Sequence, residues 1–158
     1  MSARVSKPTS ETAYVAWQFS RAMGSRLEKA LAALDLTLAQ HNALKHAAES
    51  PGLSNADAAR GAGITAQSMG VAVNELAGRG LLEQRPHPTN RRKVSLYITD
   101  TGRPLLASAQ ETIDRISAEA LTVLTPQEQA TLHRLLYRLV TPISPLAPPD
   151  SAQQKPAG

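Results

Sequence analysis

The chain has 158 residues, of which 42% are hydrophobic and 19% are charged, and its formal net charge is +4. This composition is typical of a globular protein, and the length fits one domain or one compact two-lobed unit. The absence of cysteine excludes disulfides, thiolate metal sites and a cysteine nucleophile, and the lack of a membrane-length apolar run or a signal-peptide core makes the cytoplasm the expected location.

The first 80 residues predict four helices after a polar arm at residues 1–10. Apolar residues recur at three- and four-residue steps in the first and fourth helices, as one buried face of a helix requires. The second, third and fourth helices each begin after a capping residue, and the Thr37 cap has Gln40 three positions on, which is a capping box. The predicted ranges are 11–34, 38–49, 55–62 and 66–77.

A β-hairpin and two more helices are predicted next. Residues 81–85 and 93–99 form the strands, the second with alternating apolar and polar residues, and the prolines between them mark the tip as a loop. A long helix follows, from about residue 100 to 121. The sequence TPQE at 125–128 starts a last helix that ends near Val140. Residues 141–158 hold five of the eleven prolines and little to bury, which predicts a disordered tail.

This order of elements predicts a mainly α fold with a small β-hairpin. Two helices joined by a tight glycine-containing turn and followed by a hairpin form a winged helix-turn-helix, in which the second helix enters the major groove of DNA. The long terminal helices have apolar faces without an obvious partner in this unit, so we expect a homodimer. The predicted domains are an arm and dimerisation helix (1–36), a winged-helix domain (37–99), C-terminal dimerisation helices (100–140) and a tail (141–158).

The outward residues of the fourth helix and the basic hairpin are the candidate DNA contacts. Gln and Asn bond adenine edges, Ser bonds bases or phosphate, and Val contacts a thymine methyl. Four cations within nine residues favour a DNA contact over solvated surface charge, with an arginine in the minor groove and Arg85 and Lys93 on phosphate. A glycine in the helix either allows close approach of DNA or is simply tolerated. The candidates are Gln67, Ser68, Gly70, Val71, Asn74, Arg85, Asn90, Arg91, Arg92 and Lys93.

Four motifs occur in a fixed order along the chain: LT..Q...L at 36–44, L.GRGLLEQR at 76–85, the hairpin ending NRRK….ITDTG, and LTPQEQATLHRLL at 124–136. In this order they resemble the multiple-antibiotic-resistance regulator (MarR) family. The resemblance implies homodimeric winged-helix DNA binding, usually repression of nearby genes, and often release by a small aromatic acid. The chain departs from the family pattern at Asn90, where an acid usually orients the wing arginine, and at Val71, where Arg is common. We therefore expect Asn90 to hold Arg91 by a neutral hydrogen bond.

The resemblance also implies a ligand pocket between the DNA-binding lobe and the dimerisation helices. Trp17 and Arg21 are four residues apart on the first helix and offer an aromatic surface beside a cation, and His41 is a further candidate contact. The alternative is that Trp17 packs in a dimer interface, Arg21 is solvated and His41 is structural. No catalytic or metal-binding motif is present, so we predict no enzyme, no metal and no cofactor. The second functional reading is a winged-helix architectural or protein-interaction module.

Overall fold

The computed structural model describes residues 8–143, with side chains from residue 9 onward, and contains six helices and three short strands. The helices are α1 (Pro8–Ala32), α2 (Leu38–Glu49), α3 (Asn55–Ala62), α4 (Ala66–Gly78), α5 (Gly102–Leu121) and α6 (Pro126–Val140). The strands are β1 (Leu53–Ser54), β2 (Leu82–Pro86) and β3 (Val94–Ile98). The predicted mainly α fold with a hairpin is confirmed. The division into domains stays a prediction, and most of the predicted tail lies outside the described residues.

Side-chain caps start four of the helices where the sequence predicts them. The Thr37 hydroxyl accepts from the backbone N of Gln40 at 3.1 Å, while the backbone N of Thr37 donates to Gln40 Oε1 at 2.9 Å. Thr125 and Glu128 form the same reciprocal pair at the start of α6. Two predicted helix starts are wrong: α1 already begins at Pro8, inside the predicted arm, and α5 begins only at Gly102.

The late start of α5 follows from the way the hairpin joins it. Thr99 Oγ1 donates to the carbonyl of Gly80 at 2.7 Å and accepts from the backbone N of Gly102 at 3.0 Å. A Cβ on Gly102 would lie 2.2 Å from the carbonyl oxygen of Leu81, so only glycine fits this joint. The chain therefore turns from β3 into α5 through a close backbone contact.

The sheet has three strands in the order β1-β3-β2, and all pairs are antiparallel. The two-residue β1 has no periodicity and was not predicted. Because β1 pairs with β3, Ser95 lies opposite Ser54 and both are buried. The expected alternation in β3, with apolar residues buried and polar residues exposed, is therefore wrong at one end: the polar Ser95 is 1% exposed, whereas the apolar Val94 is 37% exposed.

The core lies beneath α4 and the sheet. Its largest fully buried side chains come from the end of α1, from α2, from α4 and from β3. They include Leu31, Leu44, Met69, Leu76 and Leu96. This packing fixes one face of α4 against the body of the protein and leaves its opposite face, and the hairpin, directed to solvent.

Apolar side chains remain exposed on the terminal helices. Tyr14, Val15 and Trp17 on α1 are each more than half exposed, and Leu139 on α6 is 61% exposed. A groove of about 620 Å³ between α1, α5 and α6 is lined mainly by apolar residues, among them Phe19 and Leu132. No helix within residues 8–143 is both long enough and apolar enough to cross a membrane.

Candidate nucleic-acid interface

Helix α4 has one buried and one exposed face. Met69, Ala72, Val73 and Leu76 are buried, as the sequence predicts. The residues between them point outward, and the exposed ones include four of the predicted DNA contacts: Gln67, Ser68, Val71 and Asn74. Val71 is 55% exposed although it is apolar, so α4 presents a methyl-bearing surface beside polar side chains.

Gly70 lies at the edge of the exposed face of α4. A Cβ added there would meet no atom of the described chain nearer than Asn55 Nδ2, at 3.9 Å. The packing of the protein therefore does not require glycine at this position. Gly70 also lines a cleft of about 360 Å³ between α4 and the hairpin, which has Arg92 and Lys93 along the other side.

The hairpin from β2 to β3 (residues 82–98), which we call the wing, has a tip that is organised by backbone hydrogen bonds. The backbone N of His87 donates to the Lys93 carbonyl at 3.1 Å, and the backbone N of Lys93 donates to the Asn90 carbonyl at 2.9 Å. Asn90 Oδ1 accepts from the backbone N of Arg92 at 3.0 Å. Asn90 therefore shapes the turn, and the expectation that it holds the Arg91 side chain is wrong.

Three cations of the wing, Arg91, Arg92 and Lys93, are exposed, and within the described residues none forms a salt bridge. We call them the wing cations. A hydrogen bond from Ser54 chiefly lowers the pKa of Asp57, and the charges of Arg60 and Lys93 lower it further. Arg92 and Lys93 line the cleft beside α4, and no carboxylate in residues 9–143 forms a salt bridge with any of the three wing cations, which leaves their charge available to a polyanion.

Arg85, the fourth cation of the predicted cluster, has partners inside the protein. Its Nε and Nη2 donate to the two carboxylate oxygens of Glu83, both at 2.9 Å. Its guanidinium also lies over the ring of Tyr97, 4.3 Å from the centroid. The hydrogen bond from Arg85 lowers the pKa of Glu83, which stays ionised. A phosphate contact by Arg85 stays a prediction, and in this arrangement it requires Arg85 to leave Glu83.

Two glutamines outside the predicted site hold polar residues of α4. Gln84 Nε2 on β2 donates to Asn74 Oδ1 at 3.0 Å, and Gln40 Nε2 on α2 donates to Glu75 Oε2 at 2.6 Å. Asn74, predicted as a base contact, is thus bonded to the wing. The sequence indicates only the capping role of Gln40 and not its bond to Glu75. The bond between Gln84 and Asn74 joins two different elements, so no local sequence pattern predicts it.

The three predicted ligand residues are not brought together. Arg21 lies over the Trp17 ring, 5.0 Å from its centroid, and Tyr14 stacks on Trp17 at 5.8 Å. His41 is 4% exposed in α2, and neither ring nitrogen has a hydrogen-bond partner in the described chain. Burial lowers the pKa of His41, and the nearby side chains of Asn42 and Gln110 oppose part of that shift. No hydrogen bond or ring contact in residues 9–143 joins His41 to Trp17 or Arg21.

A second cleft, of about 500 Å³, opens between α2 and α5. Lys45 and Arg103 provide cations, and Gln110, Leu106 and Ala48 line it as well. Sequence analysis missed this cleft because its residues lie on two helices far apart in the chain. Within the described part of the chain, no group of three or more His, Asp or Glu side chains is placed to hold a metal ion.

Comparison with known proteins gives matches over most of the chain. A model of the MarR family matches residues 34–93, from the α1–α2 connection to Lys93, the last of the wing cations. The HTH-type transcriptional repressor Rv2887 of Mycobacterium tuberculosis is 29% identical over 126 residues, which cover 80% of this chain and 91% of the relative. The match extends beyond the winged helix into the terminal helices.

Solved structures of the M. tuberculosis protein have the same fold. The MarR family protein Rv2887 in complex with DNA has a TM-score of 0.69 and 29% identity, covering 80% of this chain and 95% of that one. Its complex with p-aminosalicylic acid has a TM-score of 0.69 and 28% identity, covering 80% and 96%. With the motifs in order, the winged helix in place and these matches in sequence and structure, the chain is similar to proteins of the MarR family, and the family model covers its winged-helix region.

Proposed function

We propose that this protein is a homodimeric transcriptional repressor that binds a pseudo-palindromic operator in duplex DNA, in the cytoplasm, and that a small ligand releases it. The observation that carries the proposal is the group of three exposed wing cations without a salt bridge in residues 9–143, two of which, Arg92 and Lys93, line the cleft beside α4. The M. tuberculosis relative, described as a repressor and solved in complex with DNA, supports the same reading. The proposal includes no enzymatic activity.

Helix α4 and the wing have different roles in the proposed DNA binding. Helix α4 enters the major groove with Gln67, Ser68 and Val71, whose amide, hydroxyl and methyl groups match base edges. It has no cation, so the phosphate charge is met by the wing. Arg91 or Arg92 enters the minor groove, where a narrow A·T tract attracts arginine, and Lys93 contacts phosphate.

The dimer is supported by the apolar surface of the terminal helices. Exposed aromatic side chains on α1 and exposed leucines on α6 surround a groove that one chain leaves uncovered. A large exposed apolar patch marks an interaction site in a monomer, and a second copy covers it by symmetry. Two winged helices then contact two half-sites about one helical turn apart.

Release by a ligand is supported by two places on the chain that suit an aromatic acid. One is the Trp17 ring with Arg21 over it, and the other is the cleft that Arg103 lines together with Lys45, which is paired with Glu49 at 3.9 Å. The relative's complex with p-aminosalicylic acid points to the same chemistry. The test is the shift of the melting temperature and of operator affinity with salicylate and related acids. If neither shifts, the protein is a repressor without a trigger.

DNA binding is tested by fluorescence polarisation with duplexes from the protein's own upstream region and with random duplexes at matched salt. We expect tight, sequence-dependent binding that the double variant Arg91→Ala/Arg92→Ala loses while fold and dimer mass stay unchanged. The dimer carries four copies of these arginines, and each phosphate contact contributes about 0.9 to the slope of log K against log salt. The slope should therefore fall by up to about 3.6 in the variant.

The matched control is Lys29→Ala/Arg115→Ala, which removes the same charge from exposed positions on α1 and α5. It should leave the salt slope nearly intact. Equal losses in both variants would refute a specific role for the wing. The alternative, an architectural winged-helix module, is favoured by the absence of cations from α4. A steep salt slope with no preference for the upstream region would establish that alternative.

A further inference from the structure

Gln40 uses both ends of its side-chain amide. Oε1 accepts from the backbone N of Thr37 at 2.9 Å, at the junction between α1 and α2. Nε2 donates to Glu75 Oε2 on α4 at 2.6 Å. Gln40 is only 5% exposed, so its amide has little water to compete for these bonds. One buried side chain thus connects the junction of the first two helices with the helix that carries the predicted base contacts.

A second bond connects the same two regions. Arg79, which follows the last residue of α4, donates from Nη1 to the carbonyl oxygen of Asp35 at 2.7 Å. Asp35 lies in the α1–α2 connection and has φ of 52°, a left-handed conformation that ordinary residues rarely adopt. The C-terminal end of α4 is therefore hydrogen-bonded to the segment that leads from α1 into α2.

We propose that Gln40 is a positioning residue, which through Glu75 fixes the angle of α4 to the dimerisation helix α1 before DNA binds. This inference rests on the proposed function. In a dimer, the α1 helices set the separation of the two copies of α4, and both must meet their half-sites together. A carboxylate held by a buried amide stays in one place, because a hydrogen bond to a charged group is stronger than a neutral one.

The role predicts a loss of specificity and not of general affinity for DNA. Non-specific binding depends on phosphate contacts, which the wing cations supply without regard to the angle of α4. Base readout depends on placing Gln67, Ser68 and Val71 against base edges, and this placement changes with the angle. Loss of the Gln40–Glu75 bond should therefore lower the ratio of operator affinity to random-duplex affinity.

The experiment measures this ratio by fluorescence polarisation for four variants of the full chain. Gln40→Met keeps the size of the side chain and removes both hydrogen bonds, and Glu75→Ala breaks the same bond from the exposed side. Each should lower the ratio about tenfold, which is the scale of one hydrogen bond to a charged group. The double variant should lose no more than either single one. Glu75→Gln keeps an acceptor for Gln40 Nε2 and should retain the ratio.

The matched control is Thr37→Ala, which removes the other half of the capping box and leaves the Gln40–Glu75 bond in place. It should lower the melting temperature as Gln40→Met does, with the ratio unchanged. An equal drop of the ratio in the control, or an unchanged ratio in Glu75→Ala, overturns the positioning role. If Gln40→Met does not fold, Glu75→Ala alone decides. A wild-type protein without operator preference would instead refute the proposed function.

Discussion

Substitution of Gly70 distinguishes a contact of α4 with DNA from the packing of α4 within the protein. Glycine in a helix interior is less favourable than alanine by about 1 kcal/mol. A Cβ at this position meets only Asn55 Nδ2 at 3.9 Å, which is ordinary van der Waals contact. The protein alone therefore gives no reason for glycine, and Gly70→Ala should raise the free energy of unfolding by about 1 kcal/mol and the melting temperature by roughly 2–4 °C.

The operator affinity of Gly70→Ala should fall, whereas its stability should rise. If the backbone of α4 approaches the operator at Gly70, the added methyl group occupies space that a base or sugar needs. Forcing a methyl group into a packed contact costs about 1–3 kcal/mol, which corresponds to a roughly five- to 150-fold loss of operator affinity. Thermal unfolding and polarisation titrations on the same preparation measure both effects, and a more stable protein that binds more weakly is the expected result.

Gly78 provides the control on the same helix. It is exposed at the last position of α4, and no atom of the described chain lies within 4 Å of an added Cβ. Gly78→Ala should leave operator affinity unchanged, with a stability gain no larger than that of Gly70→Ala. Wild-type affinity in Gly70→Ala would refute close approach and would mean that the glycine is simply tolerated.

Three further changes test other parts of the structure. Glu83→Gln releases Arg85 to phosphate, so operator binding should tighten and the salt slope should steepen by up to about 0.9 per contact; an unchanged slope contradicts this. Gly102→Ala places a Cβ 2.2 Å from the Leu81 carbonyl oxygen, and unfolding should become easier by about 1–3 kcal/mol in a thermal melt, so an unchanged melting temperature speaks against the joint. Burial lowers the pKa of His41 in the folded state, so below the unfolded value of 6.5 the unfolded chain binds more protons and stability falls. The stability gap between wild type and His41→Gln should therefore narrow between pH 7.5 and 5.5, by at most about 1.4 kcal/mol per pH unit; a constant gap contradicts the shift.

Most of the fold was predictable because its signals are local. The caps at Thr37 and Thr125 lie within three residues of their partners, and the buried face of α4 follows a helical period. The failures have tertiary causes. Strand β1 is too short to show a period, and the burial of Ser95 depends on Ser54, which is far away in the sequence. Helix α5 begins later in the chain than predicted because Gly102 lies against the backbone of Leu81, and no local sequence pattern indicates this contact.

The candidate site was predictable in its location but not in its pairings. The charge cluster and the exposed face of α4 were evident from composition and period. Residue type alone cannot show that Arg85 is held by Glu83 and Tyr97, because an exposed arginine looks the same with or without a partner. In the same way, Asn90 was assigned to an arginine side chain, whereas an Asx-type bond to the backbone of Arg92 is the geometry found.

The polar groups near the predicted DNA surface fall into two sets. Asn74, Glu75 and Arg85 are each hydrogen-bonded to another side chain of the protein, and DNA must compete with those bonds to use them. Within residues 9–143, the wing cations and the outward residues at the start of α4 have no such side-chain partner, apart from the bond that Ser68 accepts from Thr65 at 2.9 Å. Charge is therefore concentrated on a loop held by backbone hydrogen bonds, while the neutral reading groups lie on a helix held by the core and by two glutamines. Because ionic contacts are insensitive to sequence and base-edge contacts require accurate placement, the proposed function assigns affinity to the wing and discrimination to a helix whose orientation is held by the core and by side-chain hydrogen bonds.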